Sequence, residues 1–247
     1  MTFFTAVQYK ILRVAFPGEP TIMSGAAYEG KSKIRTLMGE DVLDQFKGKT
    51  VIDFGCGCGN EVVEIAGAGA RMVIGLDIQP DSLEKARRAA TSAGLSDRCS
   101  FASRTEVKAD IVVSLDSFEH FNDPAAILRT MRELLVPGGL VLISFGPTWY
   151  HPLGGHLVSV FPWAHVVFSE AALMKWRSHI RSDGATRYSE CAGGLNQMTI
   201  RRFEQLVRAS GFSVEQLEPV PIRKLRWAHC KLTREWTTAI VRARLRA

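Results

Sequence analysis

Residues 50–59, TVIDFGCGCG, decide the fold of this chain of 247 residues. An apolar run reaches an acid at Asp53, and three glycines follow at alternate positions before a helical pattern begins at Asn60. Glycine adopts positive φ at little cost, and a ligand can lie against its backbone because it has no Cβ. An apolar strand, a glycine turn and a helix form the first unit of a nucleotide-binding α/β fold. We therefore predict a cofactor at this turn.

The glycine spacing bears on which cofactor is bound. The dinucleotide fingerprint is GxGxxG, with the pyrophosphate at a helix N-terminus, whereas residues 55–59 read GxGxG and Asn60 stands at the third glycine position. This spacing weakens an assignment to NAD. A second apolar strand, 72–77, ends at Asp77, which suits an acid that holds ribose hydroxyls. Because both kinds of cofactor contain a ribose, Asp77 does not distinguish them.

Strands and helices alternate up to residue 145. Further apolar strands are predicted at 98–102, 110–115 and 140–145, and helices at 61–66, 81–93 and 124–135. Apolar strands that alternate with helices are typical of a parallel sheet covered on both faces. The sequence therefore predicts a doubly wound α/β fold with its ligand at the carboxyl ends of the strands.

Three segments, in this order, resemble motifs of the class I S-adenosylmethionine (SAM) dependent methyltransferases. They are DFGCGCGNEVVEIA from residue 53, GLDIQPDSLEKAR from residue 75, and ADIVVSLDSFEHFNDPAAILRTMRELLVPGGLVLISF from residue 109. The resemblance covers residues 49–145 and points to the small-molecule, methyltransferase type 11-like branch. It implies a Rossmann-like, seven-stranded sheet in the order 3-2-1-4-5-7-6 with the last strand antiparallel. It also implies SAM as the cofactor.

The resemblance implies which residues hold SAM. Asp77 takes the ribose diol and Ile78 packs on adenine. Leu115 and Asp116 lie beside the methionine moiety, and Ser103 stands near the adenine amine, where many relatives carry an acid. The residues implied to line the methionine and ribose part are Asp53, Gly55, Gly57 and Gly59.

The segment before the first strand contains a predicted helix at 32–43, which is expected to cover the sheet edge or the cofactor pocket. Tyr28 precedes this helix. Its hydroxyl is a candidate contact for the SAM carboxylate, and a purely packing role for the ring is the alternative.

The regular alternation stops after residue 145. Residues 146–198 are rich in aromatic side chains and are interrupted by prolines. We predict that this segment is a cap inserted over the transferred methyl, because apolar walls there exclude water and shape the acceptor pocket.

Methyl transfer mainly requires that the nucleophile is held in line with the methyl group. A hydroxyl nucleophile also benefits from a general base, and histidine has a suitable pKa. The candidates are His151 and His120, followed by His156, with a loop or packing role as the alternative for each. His165 ranks last because it lies in an apolar run.

The C-terminal part is predicted to contain a helix ending at Ser210, a strand at 213–218, a basic helix at 222–233 and a final strand at 236–245. The chain is 46% hydrophobic, which fits one domain of this size. We divide that domain into an N-terminal helical cover (1–48), a SAM-binding core (49–145), the cap insertion (146–198) and a C-terminal part (199–247).

Composition also limits location and metal content. No apolar stretch reaches the ~18 residues that a membrane span needs, and no cleavage signal follows the apolar start. The five cysteines form no CxxC pair. We therefore expect a cytoplasmic protein without a disulfide framework, and the spacing of potential ligands along the chain predicts no metal site.

The net charge of +6 is concentrated at one end, since residues 222–247 carry eight basic side chains and one acid. A basic segment of this kind can make weak contact with an anionic membrane surface. The chain contains no nucleic-acid-binding motif, so we expect no nucleic-acid partner.

Together these features predict a SAM-dependent methyltransferase that acts on a small or lipid-like acceptor, at oxygen rather than nitrogen or carbon. One alternative is a non-catalytic SAM-binding scaffold protein without an acceptor pocket. The other is an NAD(P)-dependent oxidoreductase. The absence of a GxSxG motif after a strand argues against a serine hydrolase, and a Walker loop is absent too.

Overall fold

The computed structural model describes residues 2–16, 30–158, 160–191 and 193–247. Within these ranges, seven strands form one sheet. They are β1 (Thr50–Phe54), β2 (Met72–Leu76), β3 (Cys99–Ala102), β4 (Ala109–Leu115), β5 (Leu135–Phe145), β6 (Ser213–Pro221) and β7 (Thr238–Arg246).

The strand order is β3-β2-β1-β4-β5-β7-β6. The first five strands pair in parallel, whereas β7 is antiparallel to both β5 and β6. This order and the antiparallel β7 confirm the predicted fold class.

Nine α-helices lie in the described ranges. They are α1 (Phe3–Ala15), α2 (Lys33–Met38), α3 (Asn60–Gly67), α4 (Pro80–Ser92), α5 (Pro124–Glu133), α6 (Ala164–Val167), α7 (Glu170–Arg177), α8 (Ile200–Ala209) and α9 (Arg234–Thr237). Short 3-10 helices span Glu40–Phe46, Phe118–His120, His156–Val158, Tyr188–Glu190 and Arg223–Ala228. None of the described helices combines the length and apolar character needed to cross a membrane.

Side-chain alternation along the strands gives the sheet two apolar faces. Val51 packs with α2, α3 and α4 on one face, in a cluster that includes Ile34 and Ile65. The next residue, Ile52, packs with α5 and α8 on the other face, in a cluster that includes Leu128 and Phe203. The sheet is therefore the middle layer of an α/β/α sandwich.

A third apolar cluster belongs to the insertion at 146–198. Its buried residues include Leu173, Trp176 and Tyr188, and Leu12 of α1 packs among them. The indole Nε1 of Trp176 donates to the carbonyl of Phe16 at 2.8 Å. Helix α1 therefore packs on the insertion rather than on the sheet.

Several element boundaries differ from the sequence-based prediction. The helix expected at 32–43 breaks at Gly39, whose φ is 106°, and continues as a 3-10 helix. Helix α5 ends at Glu133, and β5 begins at Leu135 because the turn at Gly138 is accommodated as an irregularity within the strand. The basic helix expected at 222–233 is a 3-10 turn, Arg223–Ala228, that precedes α9.

Candidate functional site

The three glycines after β1 have different roles. All have positive φ, at 89°, 50° and 79° for Gly55, Gly57 and Gly59. A Cβ on Gly55 would lie 2.7 Å from the Cβ of Ser117, and one on Gly59 would lie 2.7 Å from the Cβ of Ala86. A Cβ on Gly57 would meet no atom within 4 Å among the described residues. Packing therefore requires Gly55 and Gly59, whereas Gly57 faces the open space where a ligand can lie.

Asp77 follows β2 and holds the glycine turn in place. Its Oδ2 accepts a hydrogen bond from the backbone N–H of Gly57 at 2.9 Å, and its Oδ1 accepts one from the N–H of Gln79 at 2.8 Å. The next residue, Ile78, is 88% exposed, so an apolar side chain stands free beside the turn. This placement is compatible with the expected ribose and adenine contacts.

Asp53, at the end of β1, is a buried carboxyl group. Its Oδ2 has no hydrogen-bond partner among the described residues. Burial, and then repulsion from Glu61, raises the pKa of Asp53 to about 8, while Lys33 opposes the shift. A cationic ligand placed here would stabilise the ionised carboxylate.

Lys33 lies among three acidic residues, Asp53, Glu61 and Asp116. Its Nζ is 3.9 Å from an oxygen of Glu61 and 3.8 Å from one of Asp116. Lys33 is the first residue of α2 and Glu61 lies in the first turn of α3, so both side chains project from helix starts at the carboxyl edge of the sheet. Neither residue is among those predicted from the sequence to hold SAM, although each lies at the start of a predicted helix near the cofactor turn.

The remaining residues predicted to contact SAM lie at the same edge or outside the described part. Asp116 follows β4 with a φ of 50°, and Leu115 before it is buried. Ser103 follows β3 and is exposed. Tyr28 lies outside the described residues.

The described residues fit SAM. The cofactor carries a positive sulfonium and ammonium together with a carboxylate. Glu61 and Asp116 provide negative charge beside Lys33, and the buried carboxyl group of Asp53 ionises once a cation lies next to it. Lys33 provides the positive charge that a carboxylate needs.

Two of the predicted catalytic histidines lie together. His120 ends a 3-10 helix after β4 and His156 begins one in the insertion, and their ring centroids are 5.5 Å apart, edge to face. The Nδ1 of His120 is 2.8 Å from the carbonyl oxygen of Gly194, and that of His156 is 3.0 Å from the carbonyl oxygen of Gly154. A carbonyl only accepts, so each Nδ1 carries the proton and each Nε2 keeps a free lone pair.

His151 has the opposite tautomer. Its Nδ1 accepts a hydrogen bond from the N–H of Leu153 at 2.9 Å. Burial lowers the pKa of His151 to about 4, with smaller contributions from His156 and His165. Burial lowers the pKa of His156 to about 4 as well, so the pKa does not distinguish these two rings and the tautomer does. The neutral ring of His151 therefore holds its proton on Nε2 and its only lone pair is in use. This geometry favours His120 and His156 over His151 as bases.

His165 is buried in the insertion, 5% exposed, and its Nε2 is 2.6 Å from the carbonyl oxygen of Trp149. Burial lowers its pKa. It packs edge to face with Trp149, at 4.7 Å between centroids. These contacts give His165 a packing position, in keeping with its low rank.

Glu119 adjoins the histidine pair. It is 2% exposed, and burial, followed by repulsion from Asp116, raises its pKa to about 8. Its Oε1 accepts a hydrogen bond from the N–H of Gly146 at 3.2 Å. One ligand atom from each of Glu119, His120 and His156 lies within 4.8 Å of the other two. The positions of these residues in the sequence did not indicate the group. His156 lies in the insertion and meets Glu119 and His120 only because the insertion folds back over the segment after β4.

A family model described as a methyltransferase domain matches residues 28–217, which is most of the chain. The chain belongs to the methyltransferase-domain family. This membership confirms the resemblance to class I SAM-dependent methyltransferases, identifies SAM as the cofactor and removes the nicotinamide alternative.

Two curated relatives match part of the chain. A ubiquinone biosynthesis O-methyltransferase of Neisseria meningitidis is 37% identical over 105 residues, 40% of this chain and 44% of the relative. A ribosomal protein L11 methyltransferase of Photobacterium profundum is 36% identical over 116 residues, 44% of this chain and 36% of the relative. The chain thus spans less than half the length of either relative.

A solved structure shares the fold over a longer range. The crystal structure of an S-adenosylmethionine dependent methyltransferase from Mesorhizobium loti aligns with a TM-score of 0.56 and 20% sequence identity. The alignment covers 82% of this chain and 92% of the other. At 20% sequence identity, this similarity shows that the two proteins share a fold and shows nothing about the reaction.

Proposed function

We propose that this protein transfers a methyl group from SAM to an oxygen atom of a small or lipid-like acceptor held beneath the insertion at 146–198. The observation that carries the proposal is the pair of Nε2 lone pairs on His120 and His156 beside the strand edge that presents Gly57 and Asp53. SAM, when bound, supplies an electrophilic methyl group on its sulfonium.

The chain's own residues perform positioning and proton removal. Lys33, Asp53 and Asp116 fix the charged end of the cofactor, and Asp77 fixes the turn beneath it. A free Nε2 on His120 or His156 accepts the proton of an acceptor hydroxyl, which makes the oxygen a better nucleophile. Orientation contributes the larger part of the rate enhancement.

Support for oxygen as the target comes from two sources. The two imidazoles have free lone pairs that a hydroxyl acceptor needs, and one relative is by name an O-methyltransferase. Support for an apolar acceptor comes from the insertion, in which Trp149 and Phe161 are only partly buried. Trp176 and Tyr188, in contrast, are buried in the core of the insertion. Fewer aromatic side chains are therefore available to line an acceptor pocket than the sequence alone suggests.

The experiment combines binding with turnover. We expect calorimetry to detect binding of S-adenosylhomocysteine, and incubation with methyl-labelled SAM and a panel of phenols, catechols and hydroxylated lipids to give a labelled O-methyl product. Asp77→Ala should weaken cofactor binding, and His120→Ala should lower turnover while cofactor binding persists. Cofactor binding without turnover on any acceptor would favour the scaffold alternative, and label on nitrogen or carbon would contradict oxygen as the target.

A further inference from the structure

Glu119, His120 and His156 form a set of potential metal ligands at the boundary between the sheet and the insertion. Among the described residues this is the one group of three or more His, Cys, Asp and Glu side chains close enough to share an ion. Its ligand atoms lie within 4.8 Å of one another. Zn²⁺ binds imidazole and carboxylate ligands at ~2.0–2.2 Å, so the three side chains would have to close around a bound ion.

The hydrogen bonds around both rings engage Nδ1 and leave Nε2 as the nitrogen that can bind an ion. Metal-bound histidines commonly donate their other ring N–H to a carbonyl or carboxylate, which fixes tautomer and orientation. Here Nδ1 of His120 donates to the carbonyl of Gly194 and Nδ1 of His156 to that of Gly154. A Cβ on Gly154 would collide with the carbonyl oxygen of Trp149, so position 154 has no room for a side chain. Both Nε2 atoms are therefore held ready to coordinate.

The carboxylate supplies a second, independent indication. Glu119 is 2% exposed and its Oε2 has no hydrogen-bond partner among the described residues. A buried carboxylate oxygen without a partner is costly unless a charge or donor compensates for it. A cation bound between Glu119 and the two imidazoles would provide that compensation.

The 3-10 helix Phe118–His120, which carries Glu119 and His120, is held in place by Asn196. The Asn196 side-chain amide donates to the carbonyls of Phe118 and Phe121, both at 2.9 Å. Its backbone N–H donates to the carbonyl of Glu119, also at 2.9 Å. His156 has a positive φ of 48°, and such conformations cluster at functional sites. The ligand set is therefore positioned by backbone contacts on both sides.

We propose that Glu119, His120 and His156 bind one divalent transition-metal ion, with Zn²⁺ as the representative ion. Two imidazoles and one carboxylate select such an ion over Mg²⁺ or Ca²⁺, which prefer oxygen ligands. Three protein ligands leave a coordination position open, as in catalytic zinc sites.

This inference deepens the proposed function and in part rests on it, because the open position would take the oxygen of the acceptor. Coordination lowers the pKa of a bound hydroxyl. The hydroxyl proton then passes to water and the O–H electron pair stays on the metal-bound oxygen. In that case the two histidines act as ligands rather than as bases.

The test uses the full chain, stripped with a chelator, and measures uptake of Zn²⁺ by calorimetry and elemental analysis. We expect one Zn²⁺ per chain, and affinity at least about tenfold lower in Glu119→Gln, His120→Ala and His156→Ala. Glu119→Gln keeps the size of the side chain and its acceptor for Gly146, so loss of uptake there is not a packing effect. Thermal melting of each metal-free variant checks that it folds.

His179→Ala is the matched control, because His179 lies in the same insertion, is exposed and stands outside the ligand group. It should bind Zn²⁺ like the wild type. Substitution by Co²⁺ gives a second readout: d–d absorption without a thiolate charge-transfer band supports nitrogen and oxygen ligation. A thiolate band, or uptake unchanged in the three ligand variants, would overturn the proposal.

Binding of S-adenosylhomocysteine to the metal-free protein separates this inference from the proposed function. Cofactor binding with no Zn²⁺ uptake by the wild type overturns the metal site alone. Zn²⁺ uptake that depends on the three ligands, without cofactor binding or turnover, supports the metal site and overturns the proposed methyl transfer.

Discussion

Gly57 is the residue at which a side chain should abolish cofactor binding. Its Cβ position faces open space at the site, and its φ is 50°. We expect Gly57→Val to abolish binding of S-adenosylhomocysteine in calorimetry because the side chain occupies the ligand's place. Gly94→Val is a matched control, since Gly94 also has positive φ, at 67°, and open space around it, but lies after α4. A Gly57→Val titration like that of the wild type would show that the ligand lies elsewhere.

Asp53 should make the stability of the ligand-free protein depend on pH. Burial raises its pKa from 3.8 to about 8, so between these values the folded state holds a proton that the unfolded chain has released. The free energy of unfolding therefore falls as pH rises through this window. Above pH 6.5, the ordinary pKa of histidine, the depressed pKa values of His151, His156 and His165 no longer contribute. Burial also raises the pKa of Glu119 to about 8, which adds a slope of the same sign that a substitution of Asp53 leaves in place.

Between pH 6.5 and pH 8 we expect Asp53→Asn to remove a slope of about 1 kcal/mol per pH unit. Urea unfolding at several pH values measures it. Asp97→Asn is the control, because the side chain of Asp97 is 75% exposed. Parallel pH profiles for the wild type and Asp53→Asn would mean that the Asp53 carboxyl is not the group responsible.

Individual site residues could be predicted from the sequence where the chemistry is local. The glycine turn follows β1 and Asp77 follows β2, the next strand along the chain. Because the carboxyl ends of these two strands lie side by side, their positions in the sequence predict that the turn and Asp77 are neighbours. The sequence could not predict that Glu119 meets His156, because that contact depends on how the insertion folds over the sheet. Nor could it rank His151 below His120, since the difference is a tautomer that depends on the backbone: His120 meets the carbonyl of the distant Gly194, and His151 meets the N–H of the nearby Leu153.

At the scale of elements, α1 should stabilise the insertion rather than the sheet. Leu12 is fully buried in the third cluster, whereas Val14 on the same helix is 84% exposed. We expect Leu12→Ala to cost about 2–5 kcal/mol and Val14→Ala less than about 0.5 kcal/mol. Urea unfolding followed by tryptophan fluorescence measures both. Equal, small effects would contradict the packing of α1 on the insertion.

The inner strands of the core were predictable because burial on both faces gives them apolar runs. Helices α5 and α8 were predictable because each begins at a side-chain cap. Asp123 and Thr199 cap α5 and α8 as their residue types suggest. The basic stretch was misassigned because its apolar residues, Trp227 and Leu232, are 86% and 91% exposed. The helical spacing of apolar residues in this basic stretch therefore does not correspond to a buried helix face.

For the whole molecule, the basic charge of residues 222–247 divides into two groups. Arg234 contacts Glu204, and Arg242, Arg244 and Arg246 on β7 contact Glu218 or Glu215. These arginines lie beside acids of the same molecule. The exposed basic residues that surround Trp227 and Leu232 are Arg223, Lys224, Arg226 and Lys231.

If the basic segment contacts anionic lipid, this exposed group should be the part that does so. We expect the double substitution Lys224→Gln, Arg226→Gln to weaken binding to phosphatidylserine vesicles about tenfold or more at low salt, at about 1 kcal/mol per charge. Vesicle sedimentation measures the effect. Lys85→Gln with Arg88→Gln on α4 removes equal charge from another exposed surface and is the control. If both pairs behave alike, the contact is absent or not localised there.

The position of β7 between β5 and β6 has a consequence for synthesis of the chain. Until β7 emerges from the ribosome, β5 has no neighbour on one side, and its residues from Leu140 to Phe145 are an apolar run that the finished protein buries. An open apolar edge is a template for intermolecular pairing. Nascent or prematurely terminated chains that stop before Thr238 should therefore aggregate and need chaperones, even though the complete nucleotide-binding half has already been translated.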